Sequence, residues 1–209
     1  MNVRETFGRR FARVATNQVV RYPRLWWLFR GPMRGMFDRI APVWDQGRSP
    51  EAFAPVEAAL ELVSEPSRAL DLGTGTGAVA FKVAQRFPKA EVVGADLSPR
   101  MLIEARRRTP PELADRIQFD EADAERLPYP DEWFDLVTLA NMIPFFDELD
   151  RVVAPGGWVV FGWSGGPQTP IYVPPEVLRR ELGDRGYTDL SEIAAGNGTG
   201  FVARKAAAS

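Results

Sequence analysis

From residue 67 onward, the chain alternates short apolar runs with longer amphipathic segments. The apolar runs predict buried β-strands at 67–73, 91–96, 117–119, 134–139 and 158–163. Helical spacing predicts helices at 77–87, 98–108 and 175–182. Two weaker runs, around Ile193 and at 201–203, predict a final pair of strands. This alternation is typical of an α/β protein with a doubly wound, mostly parallel sheet, here of seven strands.

The N-terminal third follows a different pattern. Apolar residues from Val3 to Tyr22 recur on one face of a predicted helix, and the aromatic cluster LWWLF follows at 25–29. Ser49-Pro50 predicts the start of another helix that continues to about residue 64. We therefore divide the chain into an N-terminal helical arm, 1–48, and a main domain, 49–209. The arm has three interpretations: a layer packed on the sheet, a lid over a ligand, or an anchor in a lipid surface.

The connection between the fourth and fifth predicted strands is unusually short. Only the fifteen residues 141–155 separate them, and Pro144 interrupts the first part. A turn is predicted at Pro155-Gly156-Gly157, directly before the fifth strand. The later loop at 164–175 is also short and rich in Gly and Pro. The chain thus lacks a large insertion near these strands, which leaves the arm to form much of the wall of any ligand site.

Composition removes several classes of chemistry. Cysteine and histidine are both absent, so thiol nucleophiles, imidazole bases, zinc fingers and iron–sulfur clusters are excluded, and we expect no metal. No apolar run is long enough to span a bilayer, and the N-terminus does not resemble a secretory signal. We therefore expect a cytoplasmic protein. Residues 1–40 carry nine arginines against Glu5 and Asp38, so the arm should contact something anionic: the main domain, a phospholipid surface or nucleic acid.

The most informative stretch is a glycine loop between a predicted strand and a predicted helix. It runs from Asp71 to Gly77 with glycine at every second position from Gly73. Such a loop lets a ligand approach the backbone closely. Asp71 would repel a pyrophosphate but could attract an ammonium group. Asp96 and Asp123 end the next two strands, where carboxylates can accept hydrogen bonds from ribose hydroxyls and from an adenine amine. Ammonium, ribose and adenine without phosphate describe S-adenosylmethionine.

Four segments resemble the class I S-adenosylmethionine-dependent methyltransferases. They are ALDLGTGTG at 69–77, VVGADLSPRML at 92–102, EADAERLPYPDEWFDLV at 121–137 and RVVAPGGWVVF at 151–161. The similarity covers roughly residues 37–205 and implies a Rossmann-like fold. The segment 37–45 is also similar to the start of the ubiquinone and menaquinone C-methyltransferases, which often have tyrosine where Trp44 stands.

The resemblance implies a set of cofactor-binding residues. The glycine loop would border the methionine part, Asp96 would bind the ribose, Leu97 would flank the adenine, and Asn141 would lie near the methionine and the acceptor. Each acid also has a purely structural explanation, such as Asp71 capping the loop. The full set is Asp71, Gly73, Thr74, Gly75, Gly77, Asp96, Leu97, Asp123, Ala124 and Asn141.

Acceptor residues are predicted from the aromatic positions, namely Tyr22, Trp26, Trp44, Phe145 and Phe146. Asn141 is not followed directly by proline, because Met142 and Ile143 intervene, so the motif of nucleic-acid amino-methyltransferases is absent. Methyl transfer depends mainly on alignment and exclusion of water. The absence of histidine is therefore compatible with activity, and no catalytic base is assigned.

The leading hypothesis is an S-adenosylmethionine-dependent methyltransferase acting on a small hydrophobic or amphiphilic acceptor. A nucleic-acid methyltransferase that uses the arginine arm is disfavoured, because lysine occurs only at positions 82, 89 and 205 and no base-stacking module is evident. A non-catalytic cofactor-binding or membrane-peripheral interaction protein stays open. A nicotinamide oxidoreductase is disfavoured by Asp71 and the glycine spacing. The acceptor atom and the oligomeric state are not defined by the sequence.

Overall fold

The computed structural model describes residues 3–46 and 49–207. The predicted boundary between arm and main domain, at residue 48, lies outside the described residues. Seven helices follow one another as α1 (Val3–Arg21), α2 (Trp26–Ile40), α3 (Ala54–Leu60), α4 (Ala78–Arg86), α5 (Pro99–Arg108), α6 (Phe146–Val152) and α7 (Pro175–Gly183) within these residues. The seven strands are β1 (Arg68–Leu72), β2 (Glu91–Asp96), β3 (Ile117–Glu121), β4 (Phe134–Ala140), β5 (Val153–Trp163), β6 (Tyr187–Ala195) and β7 (Gly198–Lys205).

All seven strands form one sheet in the order β3-β2-β1-β4-β5-β7-β6. The strands β1 to β5 are parallel, whereas β7 runs antiparallel between β5 and β6. The chain order reverses at β1, which pairs with β2 on one side and β4 on the other. Ligands bind in the crevice at such a switch point, outside the carboxyl ends of the strands. This confirms the predicted Rossmann-like, doubly wound fold with N-terminal helices.

Two local predictions about the elements need correction. The turn at Pro155-Gly156-Gly157 lies inside β5, which begins at Val153 and pairs with Phe134 through an irregular register. The helix from Ser49 is shorter than expected, since a 3-10 turn at Pro50–Phe53 precedes α3 and α3 ends at Leu60. Local turn signals were overridden here by strand pairing and packing, which the pattern alone does not report.

The sheet separates two hydrophobic clusters. One joins the buried faces of α1 and α2 to α6, α7 and the central strands, and the other joins α3, α4 and α5 to the opposite side. Ala15, Val19 and Trp26 of the arm are almost completely buried in the first cluster. The arm therefore shares its core with the main domain. None of the helices in the described part of the chain combines the length and apolarity that a membrane crossing requires.

Gly94 in β2 is fixed by close packing. A Cβ atom at this position would lie 2.7 Å from the Phe119 ring and 2.9 Å from Thr74 Oγ1. We expect Gly94→Ala to lower the free energy of unfolding by about 1–3 kcal/mol, because the extra methyl group overpacks the site. Urea unfolding at equilibrium measures the change. Gly183→Ala is the control, since a Cβ there meets no atom within 4 Å. Equal stability of Gly94→Ala and the wild type would contradict the packing argument.

Candidate functional site

A tight loop connects β1 to α4 at the carboxyl edge of the sheet. Gly73, Gly75 and Gly77 have φ angles of 75°, 56° and 86°, in the left-handed region that favours glycine. Two side chains pack against the loop. A Cβ atom added to Gly73 would lie 2.7 Å from Met142 Sδ, and one added to Gly75 would lie 3.5 Å from Trp44 Nε1. The loop thus presents bare backbone toward Met142 and Trp44.

Asp71 lies behind this loop and organises it. Its carboxylate accepts hydrogen bonds from Thr74 Oγ1 (2.6 Å), Thr138 Oγ1 (2.8 Å) and the Ala80 backbone N–H (3.0 Å). Only 1% of the residue is exposed. Burial raises the pKa of Asp71 to about 6, although the three hydrogen bonds act to lower it. The direct contact with an ammonium group stays a prediction, and the carboxylate is buried with three hydrogen-bond donors around it. The alternative of a loop-capping residue describes its position.

Asp96 ends β2 beside the glycine loop. One carboxylate oxygen accepts from the Gly75 N–H and the other from the Ser98 N–H, both at 2.8 Å. Burial raises the pKa of Asp96 to about 6, with the negative charges of Asp71 and Asp38 adding to the increase. A carboxylate offers about four acceptor positions. Two backbone N–H groups therefore use about half of the hydrogen-bond capacity of Asp96.

Asp123 follows β3 and contacts the arm. Its Oδ1 accepts from Trp26 Nε1 at 2.7 Å and from the Glu125 N–H at 3.1 Å, and its Oδ2 lies 3.8 Å from the Arg30 guanidinium. Ala124 beside it is buried. Helix α2 therefore lies over the ends of β2 and β3. The indole N–H of Trp26 donates to the Asp123 carboxylate, which we predicted from the sequence to accept from an adenine amine.

Asn141 follows β4 in a left-handed conformation, with φ of 51°. Its side-chain oxygen accepts from the Ser164 N–H at 3.2 Å and the Ser164 hydroxyl at 3.4 Å, which ties the ends of β4 and β5 together. A cavity of about 270 Å³ opens beside Ser164, with a polar lining that includes Arg9, Glu51, Gln168, Thr169 and Asn197. The next residue along the chain, Met142, covers Gly73.

The five aromatic residues predicted to contact the acceptor lie in different environments. Trp26 and Phe145 are buried and pack edge to face with ring centroids 5.4 Å apart, and Trp44 packs in the same way on Phe37 at 5.6 Å. Tyr22 is 49% exposed at the outer end of α1. Phe146 is a core residue that faces the Arg185 guanidinium at 5.7 Å. The structure thus brings Trp26, Phe145 and Trp44 near the crevice, whereas Tyr22 points outward and Phe146 belongs to the core.

Two acids of the arm were missed by sequence reasoning. Asp38 accepts from Ser98 Oγ at 2.6 Å, and Asp45 accepts from Thr76 Oγ1 at 2.7 Å and pairs with Arg108. They fasten the end of the arm to the starts of α5 and α4. No local pattern marks an acid whose partner lies tens of residues away, although both fall within the segment 37–45.

The fold and the crevice define a class of protein. A glycine loop after β1, an acid at the end of β2 and another after β3 border a crevice at the switch point of the sheet, as in class I S-adenosylmethionine-dependent methyltransferases. A family model described as a methyltransferase domain matches residues 69–157.

Comparisons with individual proteins agree with this class. The demethylmenaquinone methyltransferase of Thermus thermophilus is 43% identical over 140 residues, which cover 60% of this chain and 62% of that protein. The malonyl-[acyl-carrier protein] O-methyltransferase of Halorhodospira halophila is 41% identical over 111 residues, which cover 50% of this chain and 37% of that protein. The chain thus spans less than two thirds of the length of either curated relative.

A solved structure of a SAM-dependent methyltransferase from Aquifex aeolicus superposes with a TM-score of 0.66 at 18% identity, over 80% of this chain and 97% of that one. This likeness concerns the fold. The family model over residues 69–157 and the curated relatives show that this part of the chain is similar to S-adenosylmethionine-dependent methyltransferases.

The raised pKa of Asp71 makes stability depend on pH. A carboxyl group whose pKa is about 6 in the folded state and 3.8 in its unperturbed state binds more protons when folded, so its contribution to stability is lost as pH rises from about 4 to about 6. We expect Asp71→Asn to reduce this loss, by up to about 3 kcal/mol. Urea unfolding at several pH values measures it, with Asp184→Asn at the exposed end of α7 as the control. Identical pH profiles for Asp71→Asn and the wild type would contradict the assignment.

Proposed function

We propose that this protein transfers a methyl group from S-adenosylmethionine to a small hydrophobic or amphiphilic acceptor. The observation that carries the proposal is the position of Asp96, whose carboxylate is held by the Gly75 and Ser98 N–H groups at the edge of the crevice. Two backbone donors fix its direction while acceptor positions stay available for both ribose hydroxyls. This arrangement suits a nucleoside without a phosphate beside it.

The remaining cofactor contacts follow from the same edge of the sheet. The backbone of Gly73 to Gly77 would border the methionine part, and Leu97 would flank the adenine. Asp123 and Ala124 would contact the adenine edge, and Asn141 would orient the region between cofactor and acceptor through its bond to Ser164. Asp71 would act indirectly, by holding the loop in shape.

Methyl transfer from S-adenosylmethionine requires little acid–base catalysis by ionisable side chains. S-adenosylmethionine supplies an electrophilic methyl group, and the protein has to align the acceptor and exclude water. Trp26 and Phe145 are buried against each other, and Trp44 packs on Phe37. We propose that Trp26, Phe145 and Trp44 form an aromatic wall for the acceptor once α2 has moved. The polar cavity beside Ser164 suits the polar end of the acceptor, which favours an amphiphilic molecule. Tyr22 and Phe146 are not used for acceptor binding in this proposal.

The relatives narrow the acceptor class. Several are named demethylmenaquinone methyltransferases, and the aromatic wall is compatible with a flat quinone ring. We therefore propose a quinone-type acceptor methylated at carbon. The acyl-carrier substrate named for another relative is the alternative for the acceptor panel below.

We also propose that the arm is a lid over the cofactor. The contacts that hold helix α2 on the strand ends include Trp26 to Asp123, Arg34 to Glu121 at 2.8 Å, and Asp38 to Ser98. Oδ1 of Asp123 already accepts two hydrogen bonds. An adenine amine would share the Asp123 carboxylate with the Trp26 indole, and we propose that α2 moves when the cofactor enters.

Titration calorimetry with S-adenosylmethionine, S-adenosylhomocysteine and NAD tests the cofactor site. We expect both adenosyl ligands to bind and NAD not to bind. Asp96→Asn should weaken adenosyl binding by about 10- to 100-fold, because a charged hydrogen-bond acceptor for the ribose is lost. Glu91→Gln, at the opposite end of the same strand, is the matched control. Unchanged binding by folded Asp96→Asn would refute the site.

Transfer of a radiolabelled methyl group to an acceptor panel then separates the functions. The panel contains a demethylated naphthoquinone with a short isoprenoid tail, a malonyl thioester and a short RNA. Methylation of the quinone supports the proposal, whereas methylation of the RNA alone supports a nucleic-acid enzyme. Cofactor binding without transfer to any panel member would contradict the proposed acceptor class.

Trp26→Phe tests the lid. The substitution keeps an aromatic ring beside Phe145 but removes the N–H donated to Asp123. We expect S-adenosylhomocysteine to bind about 5- to 10-fold more tightly, because the competing hydrogen bond is absent. Calorimetry measures the affinity, and Trp27→Phe on the exposed side of α2 is the control. Weaker binding by Trp26→Phe would show instead that the indole supports the carboxylate.

A further inference from the structure

The turn between α1 and α2 exposes an unusual set of side chains. We call residues 21–28 the helical tip. Trp27 is 65% exposed, the highest value among the exposed large apolar side chains of the described residues, and Tyr22 and Leu28 are 49% and 47% exposed. Exposed apolar side chains that are close in sequence are typical of a surface that meets another phase or molecule.

The helical tip is also basic. Arg21 and Arg24 are exposed, and among the described residues neither pairs with a carboxylate, although Arg21 stacks over the Tyr22 ring at 5.2 Å. The described acids of the arm are engaged elsewhere: Asp38 with Ser98, and Asp45 with Thr76 and Arg108. The tip therefore presents aromatic and aliphatic groups beside positive charge with no acid on it.

The neighbouring residue Trp26 fixes the position of Trp27 at the surface. Trp26 is buried, bonds to Asp123 and packs on Phe145. Consecutive side chains on a helix point about 100° apart, so anchoring Trp26 inward directs Trp27 outward. The helical tip is thus attached to the main domain through Trp26.

From these features we propose that the helical tip docks on a bilayer that contains anionic phospholipid. Tryptophan and tyrosine favour the boundary between headgroups and acyl chains, where one part of the ring system is apolar and another is hydrated. Leucine adds apolar area, and arginine pairs with lipid phosphate. A second copy of the chain fits less well, because a two-fold contact between tips would bring Arg21 and Arg24 of both copies into one interface that contains no acid of the tip.

This docking goes beyond the proposed catalysis and does not depend on it. Sedimentation of the full chain with vesicles tests it directly, without cofactor or acceptor. One vesicle set is phosphatidylcholine alone, and the other contains about one third phosphatidylglycerol. We expect binding to the anionic set that weakens with added salt, because the lipid surface potential is screened.

Substitutions identify the residues responsible. Trp27→Ser combined with Leu28→Ser should weaken vesicle binding by at least about tenfold. Arg21→Gln and Arg24→Gln should each weaken it by about fivefold. The matched control is Leu62→Ser combined with Ile103→Ser, since these side chains are 52% and 57% exposed elsewhere on the surface. It should bind like the wild type.

Several outcomes would overturn the docking. Failure to bind anionic vesicles would do so, as would equal losses in the Trp27/Leu28 variant and in the control variant. Light scattering provides a further check. If the wild type forms a dimer that the Trp27/Leu28 variant loses, while neither binds vesicles, the helical tip is an interface between copies of the chain. Vesicle binding with no methyl transfer would leave the docking intact and contradict only the catalytic proposal.

Discussion

The geometry of the crevice depends on one buried carboxylate. Asp71 receives hydrogen bonds from the glycine loop through Thr74, from α4 through Ala80 and from β4 through Thr138. Burying a charge is costly unless donors surround it, and its raised pKa shows that burial outweighs these donors. The three elements are therefore joined at a single point beneath the loop. The glycine backbone above that point is held by a support that is not exposed to water.

Much of the architecture could be predicted because its signals are local. The strand β2 was predicted at 91–96, the bounds that the structure shows, since a buried parallel strand is a short apolar run with clear ends. The cap at Ser98 and Pro99 placed the start of α5 for the same reason, and the Ser98 side chain accepts from the Met101 N–H. Acids at successive strand ends could then be placed on one edge of the sheet from topology alone.

Other features could not be predicted, because they depend on tertiary contacts. Asp71 has the same local sequence whether its carboxylate faces a ligand or the interior, and only the positions of Thr74 and Thr138 decide it. The bond from Trp26 to Asp123 joins residues 97 positions apart. Phe145 and Phe146 are adjacent and equally apolar, yet one packs on Trp26 and the other faces Arg185. The apolar pattern of the sequence predicts which residues are buried, but not which neighbour each one contacts.

Helix α2 connects the crevice to the outer surface of the arm. Trp26 contacts Asp123, and the adjoining Trp27 faces outward on the same rigid helix. The ion pair between Arg34 and Glu121 and the exposed pair of Arg30 with Asp123 contribute little to stability, because water screens them. The buried contacts of Trp26 therefore dominate the attachment of the first turn of α2. Adjacent positions of one helix therefore carry the contact with Asp123 and the most exposed side chain of the helical tip.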